Sequence, residues 1–182
     1  MGMAATIPYY TVEDLERFPN DGNRYELLDG VLLVTPGPGA EHQAISSRIA
    51  YVLCNAVQAS GLAMVYASGA VSFPPRTQLE PDILVVPAHF PIKDKWADTR
   101  EHWLAVEILS PSSRVYDREF KRDAYLALGV REVWLVDKLD RSVEVSRAGG
   151  AQETVRDAVL WQVPGLEVVV RVDLSEVFAG IA

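Results

Sequence analysis

WLAVEILSPSS, residues 103–113, sets one carboxylate in the middle of an apolar run. Trp103, Leu104, Ala105, Val106, Ile108 and Leu109 predict a strand buried on both faces, as at the centre of a covered sheet. A buried carboxylate without a partner is strongly disfavoured, so Glu107 needs either a cation beside it or a chemical task.

Upstream, residues 82–86 (DILVV) form a second apolar strand, opened by Asp82 directly after Pro81. Between the two strands lies PAHFPIKDKWADTRE, 87–101, a proline-marked polar segment that reads as a surface loop or lid. LAMVYASGAVSF, 62–73, reads as one further strand pattern. Before it, a helix is predicted over about 40–59, with Ile45, Ile49, Val52, Leu53 and Ala56 on one stripe and Gly61 as its stop. RYELLDGVLLV, 24–34, predicts a tight hairpin about Asp29-Gly30. A short helix at 11–18 is capped by Thr11 with Asp14 three residues on.

Downstream, 117–128 predicts a helix ended by Gly129, followed by strands at 130–138 and 141–148 joined by a tight turn. The chain closes on a strand, LEVVVRV, and an amphipathic turn, LSEVF. Without repeats, low-complexity stretches or linkers, the 182 residues suit one domain of class α/β (α+β) with a mixed sheet rather than a regular βαβ series.

No apolar run reaches the roughly 18 residues of a membrane span, so no membrane partner is expected. The opening MGMAATIPYYTVEDLERF lacks the layout of a secretion signal. With Cys54 as the single cysteine, a cytoplasmic location is the simplest expectation. The net charge of −8 argues against a general nucleic-acid coat protein. Charge is uneven, however: residues 1–109 hold 7 basic and 13 acidic groups, whereas 110–150 hold 8 and 7. A polyanion would approach the middle of the chain, near Arg114, Arg118, Lys121 and Arg122, unless these are simply a solvated helix face.

Glu41 lies four residues before Ile45 and eight before Ile49, on the core-facing stripe at the start of its helix. Glu41, Asp82 and Glu107 therefore point towards a common interior. Converging carboxylates raise one another's pKa unless a cation intervenes, and hard cations such as Mg²⁺ or Mn²⁺ take oxygen ligands. On this view removing Asp82 should stabilise the metal-free protein. Lys121, four residues after Asp117, could bring an ammonium to the group.

Each residue also has a plainer reading. Asp82 can be an exposed acid at a strand start, Glu107 half of a buried pair with an arginine, and Glu41 a favourable charge at its helix dipole. Lys121 can be a surface lysine paired with Asp117. His42 reads as a helix-start hydrogen-bond donor that could reach a phosphate, and Glu26 as structural.

The order of these residues resembles the PD-(D/E)XK nuclease superfamily, and within it the bacterial restriction-endonuclease family of the Uma type. The similarity rests on RYELLDG (24–30), PGPGAEHQ (36–43), EPDILVVP (80–87), VEILSPSS (106–113), the run from Asp117 to Tyr125, GVREVWLVD (129–137) and PGLEVVVRVDLSEVF (164–178). It implies a restriction-endonuclease-like fold, a mixed central β-sheet flanked by helices, with the site at the mouth of the central strands. Asp82 and Glu107 match the metal-binding acids and Glu41 the helical glutamate. The simple motif has lysine two positions after the second acid, where this chain has Leu109, and the resemblance moves that role to Lys121.

The implied activity is hydrolysis of phosphodiesters in nucleic acid, DNA in the first place, with Mg²⁺ or Mn²⁺ as cofactor. His42, Arg114, Arg118 and Arg122 are then candidate phosphate contacts. The competing class is a catalytically silent nuclease-fold module acting in binding or assembly, favoured by the acidic surface and the displaced lysine. A two-carboxylate glycosidase would need an aromatic-lined sugar groove, which the order of residues does not suggest. Strands near 131–136 and 141–147, with a free sheet edge, make a homodimer a further expectation.

Overall fold

The computed structural model of the protein describes residues 9–90, 95–110 and 117–181. Its architecture is built on one six-stranded sheet in the order β10-β9-β8-β7-β6-β3. These strands are β3 (Ala63–Ala67), β6 (Ile83–Pro87), β7 (His102–Ile108), β8 (Val130–Asp137), β9 (Ser142–Arg147) and β10 (Gln152–Val155). Only β7 and β8 run parallel within it; every other pair is antiparallel. The sheet is mixed, as the pattern along the chain predicts, and flanked by helices, as the family resemblance implies.

Both faces of the central strands are buried, and the period of two sorts their residues. Ile83, Val85, Leu104, Val106, Trp134 and Val136 meet helix α2 (Ala40–Leu53) on one face. Leu84, Val86, Ala105, Val133 and Leu135 meet Tyr125 on the other, where helix α3 (Arg122–Ala127) packs. Asp82 and Glu107 share the parity of this second face, so the same alternation that builds the core aims both carboxylates to one side.

A smaller sheet, β2-β1-β5-β4, extends the second layer: β1 (Asn23–Leu28), β2 (Val31–Pro36), β4 (Val71–Phe73) and β5 (Thr77–Leu79). β1 and β2 pair from Asn23↔Pro36 to Leu28↔Val31, leaving Asp29 and Gly30 as the two-residue turn. Both have positive φ, 49° and 81°, the signature of the hairpin turn that Asp-Gly favours. Gly30 is needed for space as well, because a Cβ there would come within 2.8 Å of the Tyr9 ring. On β1, Arg24, Glu26 and Leu28 alternate to one face, and Leu28 packs on the second core cluster.

The pattern at 62–73 is not one strand. It divides at Ser68, whose φ is 67°, and at Gly69, where a Cβ would press on Leu84 at 3.0 Å. β3 joins the large sheet and β4 the small one. Helix α2 continues through a wider-wound turn, Cys54–Gln58, and buries Ile45, Ile49, Leu53 and Val57; Val52 and Ala56 are only half-buried. Thr11 and Asp14 do bracket a short helix α1, Val12–Leu15, with the Asp14 carboxylate accepting the Thr11 backbone N–H at 2.8 Å.

Three strands are absent from the sequence reading, the short β5, β10 and β11 (Ala158–Gln162). Gln152–Val155 is too polar to signal a strand, being an edge strand held by its ladder to β9. β11 pairs with β12 (Val169–Asp173), burying Val159 and Trp161 in the α2 layer. Helix α4 (Leu174–Val177) follows, and Arg48 of α2 donates to the carbonyls of Val177 and Ala179 at 2.8 and 2.7 Å, fixing α2 against the closing segment. β8 and β9 are paired on both sides, so they offer no edge for self-association; the large sheet's edges are β3 and β10. No helix among the described residues is long and apolar enough to cross a membrane.

His102, at the start of β7, is 1% exposed and lies 6.2 Å from the Phe73 ring, and neither ring nitrogen has a hydrogen-bond partner among the described residues. Burial, then the nearby Arg100 charge, pushes its pKa down to about 4. The neutral ring is thus favoured by folding; its contribution is complete above the unfolded pKa of about 6.5 and is lost as pH falls towards 4. Urea unfolding at pH 7.5 and 4.5 should show a smaller acid loss in His102→Phe than in the wild type. Equal losses would remove His102 as the cause.

Candidate functional site

β6 and β7 pair antiparallel with Ile83 opposite Val106 and Val85 opposite Leu104. One step further along that register sets Asp82 opposite Glu107. The Asp82 carboxylate, 5% exposed, then closes the strand end by accepting the Ile108 backbone N–H at 2.8 Å on Oδ2. The same oxygen lies 3.0 Å from His42 Nε2, delivered by the first turn of α2. Oδ1 accepts both terminal nitrogens of Arg24, each at 3.0 Å, from strand β1 of the smaller sheet. Burial pushes the Asp82 pKa up, but the His42 hydrogen bond and charge, then Arg24 and the Ile108 N–H, outweigh it and hold the carboxyl below its ordinary range.

Glu107 is 3% exposed. Its Oε1 accepts the Tyr125 hydroxyl at 2.7 Å and the Lys121 ammonium at 3.2 Å, both from the helical segment after the strand. That segment begins with a wide turn, Asp117–Lys121, and continues as α3. Lys121 is itself 2% exposed and sits 2.6 Å from Glu26 Oε2. The other Glu26 oxygen accepts the Glu80 N–H at 2.7 Å. Burial, then the charges of Glu107 and Glu26, hold the Tyr125 phenol protonated well above its usual range, so it acts as a donor to Glu107.

The structure therefore brings together Asp82, Glu107 and Lys121, and adds Arg24, Glu26, His42 and Tyr125 around them. Glu41 reaches the same cleft at its rim: its side chain is 38% exposed and ion-paired with Lys138. His42, one residue on, takes the inward position next to Asp82. Leu109, in the motif's usual lysine position, is buried in the second core cluster, and the cation on that side of the strand is Lys121 from the following helical segment. Arg118 pairs with Asp137 at 2.9 Å, and Arg122 with Asp123 and Glu144 at 2.8 and 3.2 Å. A phosphate would have to displace those carboxylates. Arg114 and the Asp117 side chain lie outside the described residues.

Arg24 goes unread in the sequence and Glu26 reads there as structural, because an alternating Arg-x-Glu on a short strand is ordinary surface patterning. Its only hint is that RYELL would bury two charged groups if its Leu28 face met a core. Burial lowers the Arg24 pKa, but the charges of Asp82, Glu107 and Glu26 more than offset it, and the guanidinium stays charged.

Arg24, Glu41, His42, Asp82, Glu107 and Lys121 line a cleft of about 300 Å³, walled by Pro36–Gly39 and the start of α2. Its donor set is all carboxylate oxygen apart from His42, the chemistry of a hard divalent cation. Among the described residues no three acidic, His or Cys groups surround a common point.

The family described as "Uma2: Putative restriction endonuclease" matches residues 12–177. The fold is shared with a crystal structure from Anabaena variabilis, described as "a putative nuclease belonging to DUF820", with a TM-score of 0.76 and 22% sequence identity. That likeness covers 92% of this chain and 97% of the other. No curated protein matches.

Because Asp82 is matched by cations rather than crowded by acids, its removal should not relieve repulsion. Asp82→Ala leaves the Arg24 guanidinium and the Ile108 N–H without their acceptor, at a cost of roughly 3 kcal/mol. Chemical denaturation without metal should show that loss. A variant more stable than the wild type would mean that mutual repulsion dominates after all.

Proposed function

The chain belongs to the Uma2 family, and on that premise we propose that it hydrolyses phosphodiester bonds in nucleic acid, DNA in the first place, with Mg²⁺ or Mn²⁺ held by Asp82 and Glu107. The observation that carries this reading is the facing of two buried carboxylates across β6 and β7, with a buried lysine against one of them. Glu41 would assist from the rim through water.

Bound at that pair, the divalent cation would supply Lewis acidity towards the phosphoryl group and towards water. The chain's own residues do the rest. Ile108 N–H and His42 fix the plane of the Asp82 carboxylate. Tyr125 and Lys121 orient Glu107, and Glu26 keeps the Lys121 ammonium in place at 2.6 Å. Lys121 would then offset charge developing on the phosphate and direct the attacking water. The start of α2 turns its positive end towards the same cleft, which favours a phosphate there. With a net charge of −8, binding would depend on these local contacts and weaken as salt rises.

A silent nuclease-fold module is the second reading, favoured by carboxylates already neutralised within the protein. The two separate on a panel of supercoiled plasmid, single-stranded DNA and RNA, with Mg²⁺ or Mn²⁺. Metal-dependent cleavage of at least one substrate is expected, lowered about 10²–10³-fold in Glu107→Gln and Lys121→Met. Absence of cleavage across the panel, with no metal binding by calorimetry, would select the module. A homodimer would place two sites on a duplex, and a strictly monomeric mass by light scattering at micromolar concentration would count against it.

A further inference from the structure

The Asp82 carboxylate is saturated. A carboxylate offers about four lone-pair sites, and here Arg24 supplies two donors to Oδ1 while His42 and the Ile108 N–H supply one each to Oδ2. A divalent cation can therefore engage Asp82 only if a donor leaves. The Ile108 N–H is part of a strand and cannot. His42 stands in the first turn of α2, a helix held by its buried stripe and by the Arg48 contacts. Arg24 is different: it is a long side chain that lines the cleft, and its positive charge is the one an incoming cation repels.

Lys121 faces no such choice. It lies nearer Glu26, at 2.6 Å, than Glu107, at 3.2 Å, so Glu107 can turn to a metal while the ammonium keeps a buried carboxylate. Arg24 has no second acid in direct contact among the described residues, since Glu107, Glu26 and Glu80 act on it only as neighbouring charges. Among the described residues its one carboxylate at ion-pair distance is Asp82, and its other acceptor is the Glu80 carbonyl. Once displaced, it needs an anion in the cleft, and its planar fork of donors fits a phosphate.

We infer that Arg24 is an exchangeable counter-ion: it holds Asp82 until a phosphodiester enters the cleft, then transfers to the phosphate and releases Asp82 to the cation. Metal and phosphodiester thus bind cooperatively, and either alone binds weakly. This rests on the nuclease reading above and adds to it the way in which substrate licenses the metal. Binding linkage requires the effect to be mutual: each ligand tightens the other by one and the same factor.

The test is isothermal titration of Mg²⁺ into the full chain, alone and with saturating dimethyl phosphate, a phosphodiester that carries no base. The wild type should bind Mg²⁺ about ten-fold tighter with the diester present. Arg24→Gln should bind Mg²⁺ alone more tightly than the wild type and lose the dependence on diester, a gain that a merely structural residue would not produce. Arg24→Lys keeps the charge without the fork, should retain part of the coupling, and serves if Arg24→Gln does not fold. Mg²⁺ affinity indifferent to the diester in the wild type, or weaker in a folded Arg24→Gln, would overturn the exchange while leaving the nuclease reading intact. Absence of Mg²⁺ binding under both conditions would overturn both.

Discussion

The pairing of β6 with β7 is the constraint on which the rest depends. Its register, Ile83 opposite Val106, is enforced on both faces, because each strand is apolar on both sides and a slip by one residue would exchange every side chain between the two layers. That slip would also drive Glu107 into the α2 layer among Ile45, Ile49 and Trp134, away from Lys121 and Tyr125. The core thus determines, with no further device, that Asp82 and Glu107 face each other on the side where α3 and the smaller sheet meet.

On that side the protein solves an electrostatic problem by bringing in charges from elsewhere. Glu26, Asp82 and Glu107 are all buried, and Arg24, Lys121 and His42 are set against them at 2.6–3.2 Å. Such a cluster contributes little net stability over an apolar packing of the same volume, since desolvation offsets the attraction. What it secures is position: each carboxylate has its orientation fixed by donors brought from other elements than its own. β1 brings Arg24 and Glu26, α2 brings His42, the turn entering α3 brings Lys121, and α3 brings Tyr125. The site is thereby assembled from both sheets and two helices, and it forms only when all of them have docked.

Much of this was legible along the chain. Apolar runs identify β6 and β7 as central strands because a strand covered on both faces cannot alternate. Asp-Gly between alternating segments identifies the β1–β2 turn because it supplies two residues at positive φ. A carboxylate inside such a run marks itself, since burial demands a reason for it; Glu107 and, less sharply, Asp82 stood out on those grounds. Lys121 and Tyr125 are spaced i, i+4, which puts both on one helix side, and both reach Glu107.

What the chain does not carry is the identity of partners distant in sequence. That Arg24 meets Asp82 across 58 positions follows from the smaller sheet folding over the larger, which no local pattern encodes. The inward turn of His42 in place of Glu41 is a matter of about 100° around α2, settled by how Ile45, Ile49 and Leu53 seat on the sheet. The break at Ser68 and Gly69 is likewise hidden, because β3 and β4 read as a continuous alternation until Leu84 and Trp96 claim the space beside the glycine. Local chemistry thus determined which segments are strands and which acids need explaining. Only the tertiary structure decided which cations answer them, because attraction between charges acts through space and leaves no period in the sequence.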